Sequence, residues 1–222
     1  MKQNPLCHDI KIPIETATLE GILCIPRDAK GLVLFAHGSG SSRFSSRNQY
    51  VAKVLNDAGL ATLLFDLFTP DEDEIDSYTR KLRFDIEFLA SRLLGVTQWC
   101  RNNPALEHLP TGYFGTSTGG GAALVAAAQH PEWVQAVVSR GGRPDLAKDA
   151  LPKVKAPVLL IVGGNDDIVI QLNEEALLKL NHMKQMEIVP GATHLFEEPG
   201  TLDEVARLAG DWFVQYLNSG AH

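Results

Sequence analysis

The chain has 222 residues, 45% apolar and 21% charged, the proportions of an ordinary globular protein long enough to bury one sizeable core. A formal charge of −7 and an isoelectric point near 5.5 argue against a nucleic-acid-binding face. No run approaches the roughly 18 apolar residues of a membrane span, and Met1 to Cys7 lack the apolar centre of a signal peptide, so a cytoplasmic address without a membrane partner is expected.

In chain order, 10–14 and 19–25 are rich in β-branched residues and predict the two strands of an opening antiparallel hairpin. The rhythm then changes. Short continuous apolar runs at 31–36, 61–65, 112–114, 136–139, 158–162 and 186–189 are those of parallel strands buried on both faces. Helices are expected over 48–57, 78–101, 120–129, 145–150 and 171–180, with 202–217 closing the chain. The stretch 67–77, with four consecutive acids from Asp71 to Glu74, reads as a solvated acidic loop. Strand and helix alternate, which predicts one α/β domain over 1–222: a mostly parallel sheet with helices on both faces. Cys7, Cys24 and Cys100 are widely spaced and outside any C-x-x-C, so unpaired thiols are expected rather than a disulfide or zinc site.

Ligands of such sheets bind beyond the carboxyl ends of the strands. The residues there are chemically loaded. His37-Gly38-Ser39-Gly40 follows 31–36, Asp66 follows 61–65, and Gly115-Thr116-Ser117-Thr118-Gly119 surrounds the end of 112–114. Arg140-Gly141-Gly142-Arg143, then Asn165-Asp166-Asp167, then Thr193-His194 follow the remaining three. A G-x-S-x-G between strand and helix places a serine on a sharp elbow with its hydroxyl projecting. Ser117, Asp166 and His194 come in the order nucleophile, acid, base. A serine hydroxyl is a poor nucleophile at neutral pH, so His194 is cast as the base and Asp166 as the group that fixes its tautomer. The backbone N–H groups of Thr118 and Ser39 are the candidate oxyanion donors.

These residues carry a resemblance: the chain is similar to α/β-hydrolases of the dienelactone-hydrolase-like group, from His37-Gly38-Ser39-Gly40 through 115–119 and 163–169 to 191–196. It departs from dienelactone hydrolases at the nucleophile, where Ser117 stands in place of a cysteine, so the resemblance implies the fold more than the lactone substrate. Asp167 is the nearer rival of Asp166, which is favoured because Gly-x-x-Asp followed by Val169 resembles the family's acid loop. Asp66 is a second rival, with a solvated or capping role more in keeping with its place.

The expected activity is a serine hydrolase that cleaves small soluble carboxylic esters, with thioesters and lactones as variants, through an acyl-enzyme and without metal or cofactor. The alternative is a scaffold of the same fold that binds a ligand or partner without turnover. A dinucleotide site at Gly38-Ser39-Gly40 is disfavoured, because Arg43 stands where the third glycine would be. Residues 140–157 are too few for a multi-helix cap, so no large cap domain is expected. His37, Gly38, Gly40, Arg43, Arg140 and Arg143 are candidate substrate contacts, with His37 also fit to shape the oxyanion loop, and Arg47 adds positive charge nearby. The arginines favour an anionic substrate; the competing reading has Arg140 paired with Asp66 or Asp145. His8, His108, His130, His182 and His222 lack motif context, and the oligomeric state stays open.

Overall fold

A computed structural model describes residues 5–217, so expectations resting on Met1 to Asn4 and on His222 lie outside the described residues. Eight strands form one sheet: β1 Leu6–Ile14, β2 Ala17–Ile25, β3 Leu32–Ala36, β4 Ala61–Phe65, β5 Thr111–Thr116, β6 Ala136–Arg140, β7 Val158–Gly163 and β8 Lys184–Val189. Their spatial order is β1-β2-β4-β3-β5-β6-β7-β8. The hairpin β1–β2 joins β4 antiparallel, and every other pairing is parallel.

Alternation along the parallel strands divides the core into two layers. Leu32 and Leu34 of β3 meet one cluster, which takes in Leu89 and Leu93 of α3 (Ile86–Arg101), Ala122 to Ala127 of α4 (Thr118–Gln129) and Ala176 of α5 (Asp167–Lys179). Val33 and Phe35 meet the other, with Val51 and Leu55 of α1 (Ser46–Asp57) and Val205, Ala209 and Phe213 of the closing helix Thr201–Tyr216. The same parity runs through β6: Val137 belongs to the α3–α4–α5 layer and Val138 to the opposite one. Arg140, two residues on, therefore projects on the side of α1 and the closing helix.

Three sequence expectations are corrected. The acidic stretch forms helix α2, Pro70–Thr79, because Thr69 and Glu72 make a reciprocal capping box and Pro70 occupies the first turn. Asp71, Glu72 and Asp73 lie in that first turn, where the helix dipole favours negative charge. The helix expected over 78–101 begins only at Ile86: Arg80 is left-handed at φ 53°, and the Asp85 carboxylate accepts from the N–H of Phe88. Finally, Cys7 and Cys24 are not free thiols but a disulfide, because hairpin register sets them directly opposite. Cys100 is the buried free cysteine. Between β6 and β7 lies a 3-10 segment, Pro144–Lys153, interrupted at Lys148, where φ is 45°; no cap domain is inserted there.

Candidate active site

Ser117 joins β5 to α4 with φ 50° and ψ −122°, a conformation that L residues seldom adopt. Close packing holds it there. A Cβ on Gly115 would fall 2.5 Å from the Gly119 carbonyl oxygen, and one on Gly119 would fall 2.1 Å from that of Ala36. Both motif glycines are thus required by approach of backbone to backbone, β5 against its own helix and α4 against β3. From Thr111 to Ala127 every residue is buried except Ser117, which is partly exposed. The elbow lifts that one side chain out of the core.

His194 lies in the loop after β8, and its Nδ1 is 2.6 Å from Oδ2 of Asp166, which follows β7. Asp167 is the exposed first residue of α5, so it is Asp166 that the fold brings to the imidazole. Gly141 closes the gap between base and elbow: a Cβ there would lie 3.5 Å from the His194 ring, while the flanking Arg140 carbonyl accepts from the N–H of Ser117 at 3.4 Å. The histidine loop has its own brace, which sequence reading missed. Glu198 accepts from the N–H and the hydroxyl of Thr193, at 3.1 and 2.7 Å. Those hydrogen bonds hold the Glu198 carboxyl below its ordinary range.

The loop after β3 approaches the elbow from the other side. As first residue of α4, Thr118 has an N–H with no carbonyl one turn back to receive it. Its hydroxyl accepts from the N–H of Ser39 at 3.1 Å, so both candidate oxyanion donors belong to residues in direct contact. His37 is buried, and both ring nitrogens are engaged: Leu67 N–H donates to Nε2 at 3.0 Å, and Nδ1 lies 2.9 Å from the Gly38 carbonyl. Nε2 must then be the acceptor and Nδ1 the donor, and burial pushes the imidazole pKa down, which favours that neutral form. Gly38 packs where a Cβ would meet Cβ of Ser117 at 3.0 Å, and Gly40 is left-handed at φ 71°.

The arginines separate by partner. Arg43 ties the loop to the sheet, pairing with Asp66 and, at 2.6 Å, with Glu20 of β2. Arg143 chelates Asp145 through two bonds of 2.8 Å. Arg140 takes neither acid; its Nη1 lies 3.5 Å from the Leu195 carbonyl and its guanidinium 5.6 Å from the centre of the Phe196 ring. A cavity of about 260 Å³ opens beside the loop, lined by His37, Arg43, Phe44, Asp66 and Phe68 among others. No group of three or more His, Cys, Asp or Glu among the described residues could hold a metal ion, and no described helix is long and apolar enough to cross a membrane.

Comparison with known proteins adds four findings. Residues 19–217 match the Dienelactone hydrolase family. The crystal structure of a dienelactone hydrolase from Anabaena variabilis is 62% identical and superimposes with a TM-score of 0.95, covering 97% of this chain and 100% of that one. Est1E from Butyrivibrio proteoclasticus, 16% identical, shares the fold with a TM-score of 0.78 over 93% of this chain and 98% of its own. A Mycobacterium tuberculosis protein provisionally named a phosphoribosyl transferase is 56% identical over 95% of this chain, which spans only 46% of that relative.

Proposed function

Because the chain belongs to the dienelactone hydrolase family, we propose that it is a serine hydrolase that cleaves small soluble carboxylic esters through an acyl-enzyme, with Ser117, His194 and Asp166 as its triad. The observation that carries this reading is the 2.6 Å contact between Asp166 Oδ2 and His194 Nδ1, beside a strained elbow that bares one serine.

With Nδ1–H committed to Asp166, the lone pair of His194 Nε2 is free to accept the Ser117 proton. The Ser117 oxygen bonds to the substrate carbonyl carbon, and the carbonyl oxygen becomes an oxyanion. The N–H groups of Thr118 and Ser39 receive it, the oxyanion displacing the Thr118 hydroxyl as the acceptor of Ser39. The imidazolium returns its proton to the departing alkoxide, leaving an ester on Ser117. Water then attacks that ester by the same route, with His194 again the base, and releases acid and free enzyme. This cycle consumes only water, and thioesters and lactones fit it without change of residues.

The phosphoribosyl transferase name belongs to a relative of which this chain matches less than half. In this reading that activity resides in the unmatched part of the relative. The test is labelling with a fluorophosphonate followed by peptide mass spectrometry. An adduct on Ser117, lost in Ser117→Ala and His194→Ala, is expected; a folded protein that takes no adduct and hydrolyses no ester in an acyl-chain panel is a binding scaffold instead.

A further inference from the structure

The candidate triad is carried in two halves. Asp166 and His194 lie in loops after β7 and β8 that are bonded to each other: the Gly164 N–H donates to the Val189 carbonyl and the Asn165 N–H to that of Ala192, both at 2.9 Å, and the Asn165 side chain reaches the Gly191 carbonyl at 3.0 Å. Ser117 belongs with the turn after β6. Its N–H donates to the Arg140 carbonyl at 3.4 Å and its carbonyl accepts from the Arg143 N–H at 3.0 Å, so the turn 140–143 holds both backbone polar groups of the nucleophile. Nucleophile and base meet only if that turn is fixed against the other half. The Gly141 N–H does part of this, donating to the Ile161 carbonyl of β7 at 2.7 Å. A second tie comes from α5, through a side chain that no sequence motif marks, Asn173.

Asn173 is fully buried, and its Nδ2 donates to two carbonyls, that of Val169 one turn back at 2.8 Å and that of Gly142 at 3.0 Å. Both partners are acceptors, so the amide must turn its nitrogen toward them, and Oδ1 has no partner in the protein. The position therefore uses the amide as a donor; an aliphatic side chain of similar volume would fill the same space without the bond. The turn it reaches is closely confined. A Cβ on Gly142 would lie 1.8 Å from Ser139 Oγ, and one on Gly141, left-handed at φ 51°, would lie 3.2 Å from the His194 carbonyl oxygen. Helix α5 begins at Asp167, one residue past Asp166, so the Asn173 bond runs from the helix that follows the acid to the turn that grips the nucleophile.

We propose that Asn173 is a positioning residue for the hydrolysis: by holding Gly142 it sets Ser117 within reach of His194. The inference rests on the hydrolase reading above for the chemistry and on the Asn173–Gly142 bond for the placement. The amide bonds to none of Ser117, His194 and Asp166, so it acts through the turn. Without it the Gly142 carbonyl loses that donor, and the turn relaxes together with the elbow it grips. Oγ of Ser117 then spends less time in line with Nε2 of His194. Such a displacement lowers kcat and leaves KM in place, because no substrate contact is removed.

The experiment uses two variants. Asn173→Leu keeps the volume and removes both bonds. Asn173→Ser removes the Gly142 bond but leaves a hydroxyl able to donate to the Val169 carbonyl one turn back, and it carries the test should the leucine variant fold poorly. Hydrolysis of p-nitrophenyl acetate is measured per active site, counted by titration with a fluorophosphonate, so that a loss of folded enzyme does not register as a loss of rate. Both variants should lower kcat about 10- to 100-fold, with KM within about twofold of wild type. Amide hydrogen exchange should quicken in peptides spanning 115–119 and 140–146 and stay as in wild type over β1 and β2. A kcat per site near wild type in either variant, or exchange that is unchanged at the elbow and turn or raised evenly over the chain, overturns the proposal while leaving the esterase intact. If the wild type turns over no ester, the hydrolase reading fails and exchange alone judges the tie. Quickening confined to elbow and turn in both variants then sustains it, and unchanged exchange overturns it.

Discussion

Replacing Asp166 by asparagine keeps the side chain's shape and removes its charge. The carboxylate is 16% exposed and accepts from His194 Nδ1 at 2.6 Å, while the imidazole is 40% exposed, so water screens the pair in part. When His194 takes the serine proton, an imidazolium forms about 4 Å from the carboxylate charge, an attraction of about 4 kcal/mol at an effective dielectric constant near 20. Asparagine forfeits that and can donate to Nδ1 instead, which puts the ring proton on Nε2, where it faces the serine and blocks proton uptake. Together these losses predict a fall in kcat of about 10⁴-fold, or ~5.5 kcal/mol. The assay is steady-state hydrolysis of p-nitrophenyl acetate with Tm as the folding control. Asp167→Asn, at an exposed position at the start of α5, should stay within about twofold of wild type. A tenfold loss or less in Asp166→Asn, or a larger loss in Asp167→Asn, refutes the assignment.

Ser117→Ala should lower turnover by about 10⁴- to 10⁶-fold without lowering Tm, as removal of a triad serine does; near-normal turnover removes Ser117 from the mechanism. Thiol titration should find no reactive cysteine in the native protein and one per chain in denaturant, because Cys7 and Cys24 are paired and burial holds the Cys100 thiol up at about 12; three thiols without reductant would contradict the disulfide. Burial alone would raise the Asp76 carboxyl, but the Arg83 guanidinium and the N–H groups of Leu82 and Arg83 outweigh it and hold it below its ordinary value. Its contribution is therefore complete above about pH 4 and fades as pH falls through the depressed native value, so Asp76→Asn should cost about 3 kcal/mol at pH 7 and progressively less as the solution is acidified below about pH 4; a loss that does not diminish with falling pH would contradict the pairing. Arg43→Ala should lower kcat by up to about 10²-fold while Ser117 still takes a phosphonate adduct, the signature of a displaced oxyanion loop; wild-type kcat would show that the loop holds itself.

Much of the fold was legible because buried parallel strands announce themselves as short apolar runs. Residues 61–65 were bounded correctly from sequence, and the expected site residues fall at strand ends where the sheet presents them. The disulfide was missed because reading β1 from 10 rather than from Leu6 left Cys7 outside the strand. With the two-residue turn Glu15-Thr16 fixing Ile14 opposite Ala17, counting outward sets Cys7 against Cys24. Helix α2 was misread for a different reason: four consecutive acids suggest a solvated loop, yet Thr69-Pro70 and Glu72 form a local capping signature visible in the sequence itself. The sorting of the arginines could not have been read. Asp66 and Asp145 were both plausible partners of Arg140; packing between the loops after β3 and β4 gives the first to Arg43, whereas Asp145 meets Arg143 two residues away in its own loop.

That assignment bears on how the site works. Stabilising an oxyanion depends on donors fixed before charge develops, since a loop that must reorganise gives back much of the gain. The loop after β3 is fixed at both ends by bonds that the reaction does not break. Its start is pinned by the neutral His37 ring spanning Gly38 and Leu67, and its end by Arg43 between Asp66 and Glu20. Glu20 lies on β2, the strand that the disulfide joins to β1, so the hairpin at the sheet's edge is linked through one guanidinium to the loop that carries Ser39. Arg140, the one buried arginine among the described residues without a carboxylate partner, lies beside the histidine loop. Which of these cations stays unpaired thus follows from the distribution of carboxylates rather than from distance to Ser117 along the chain.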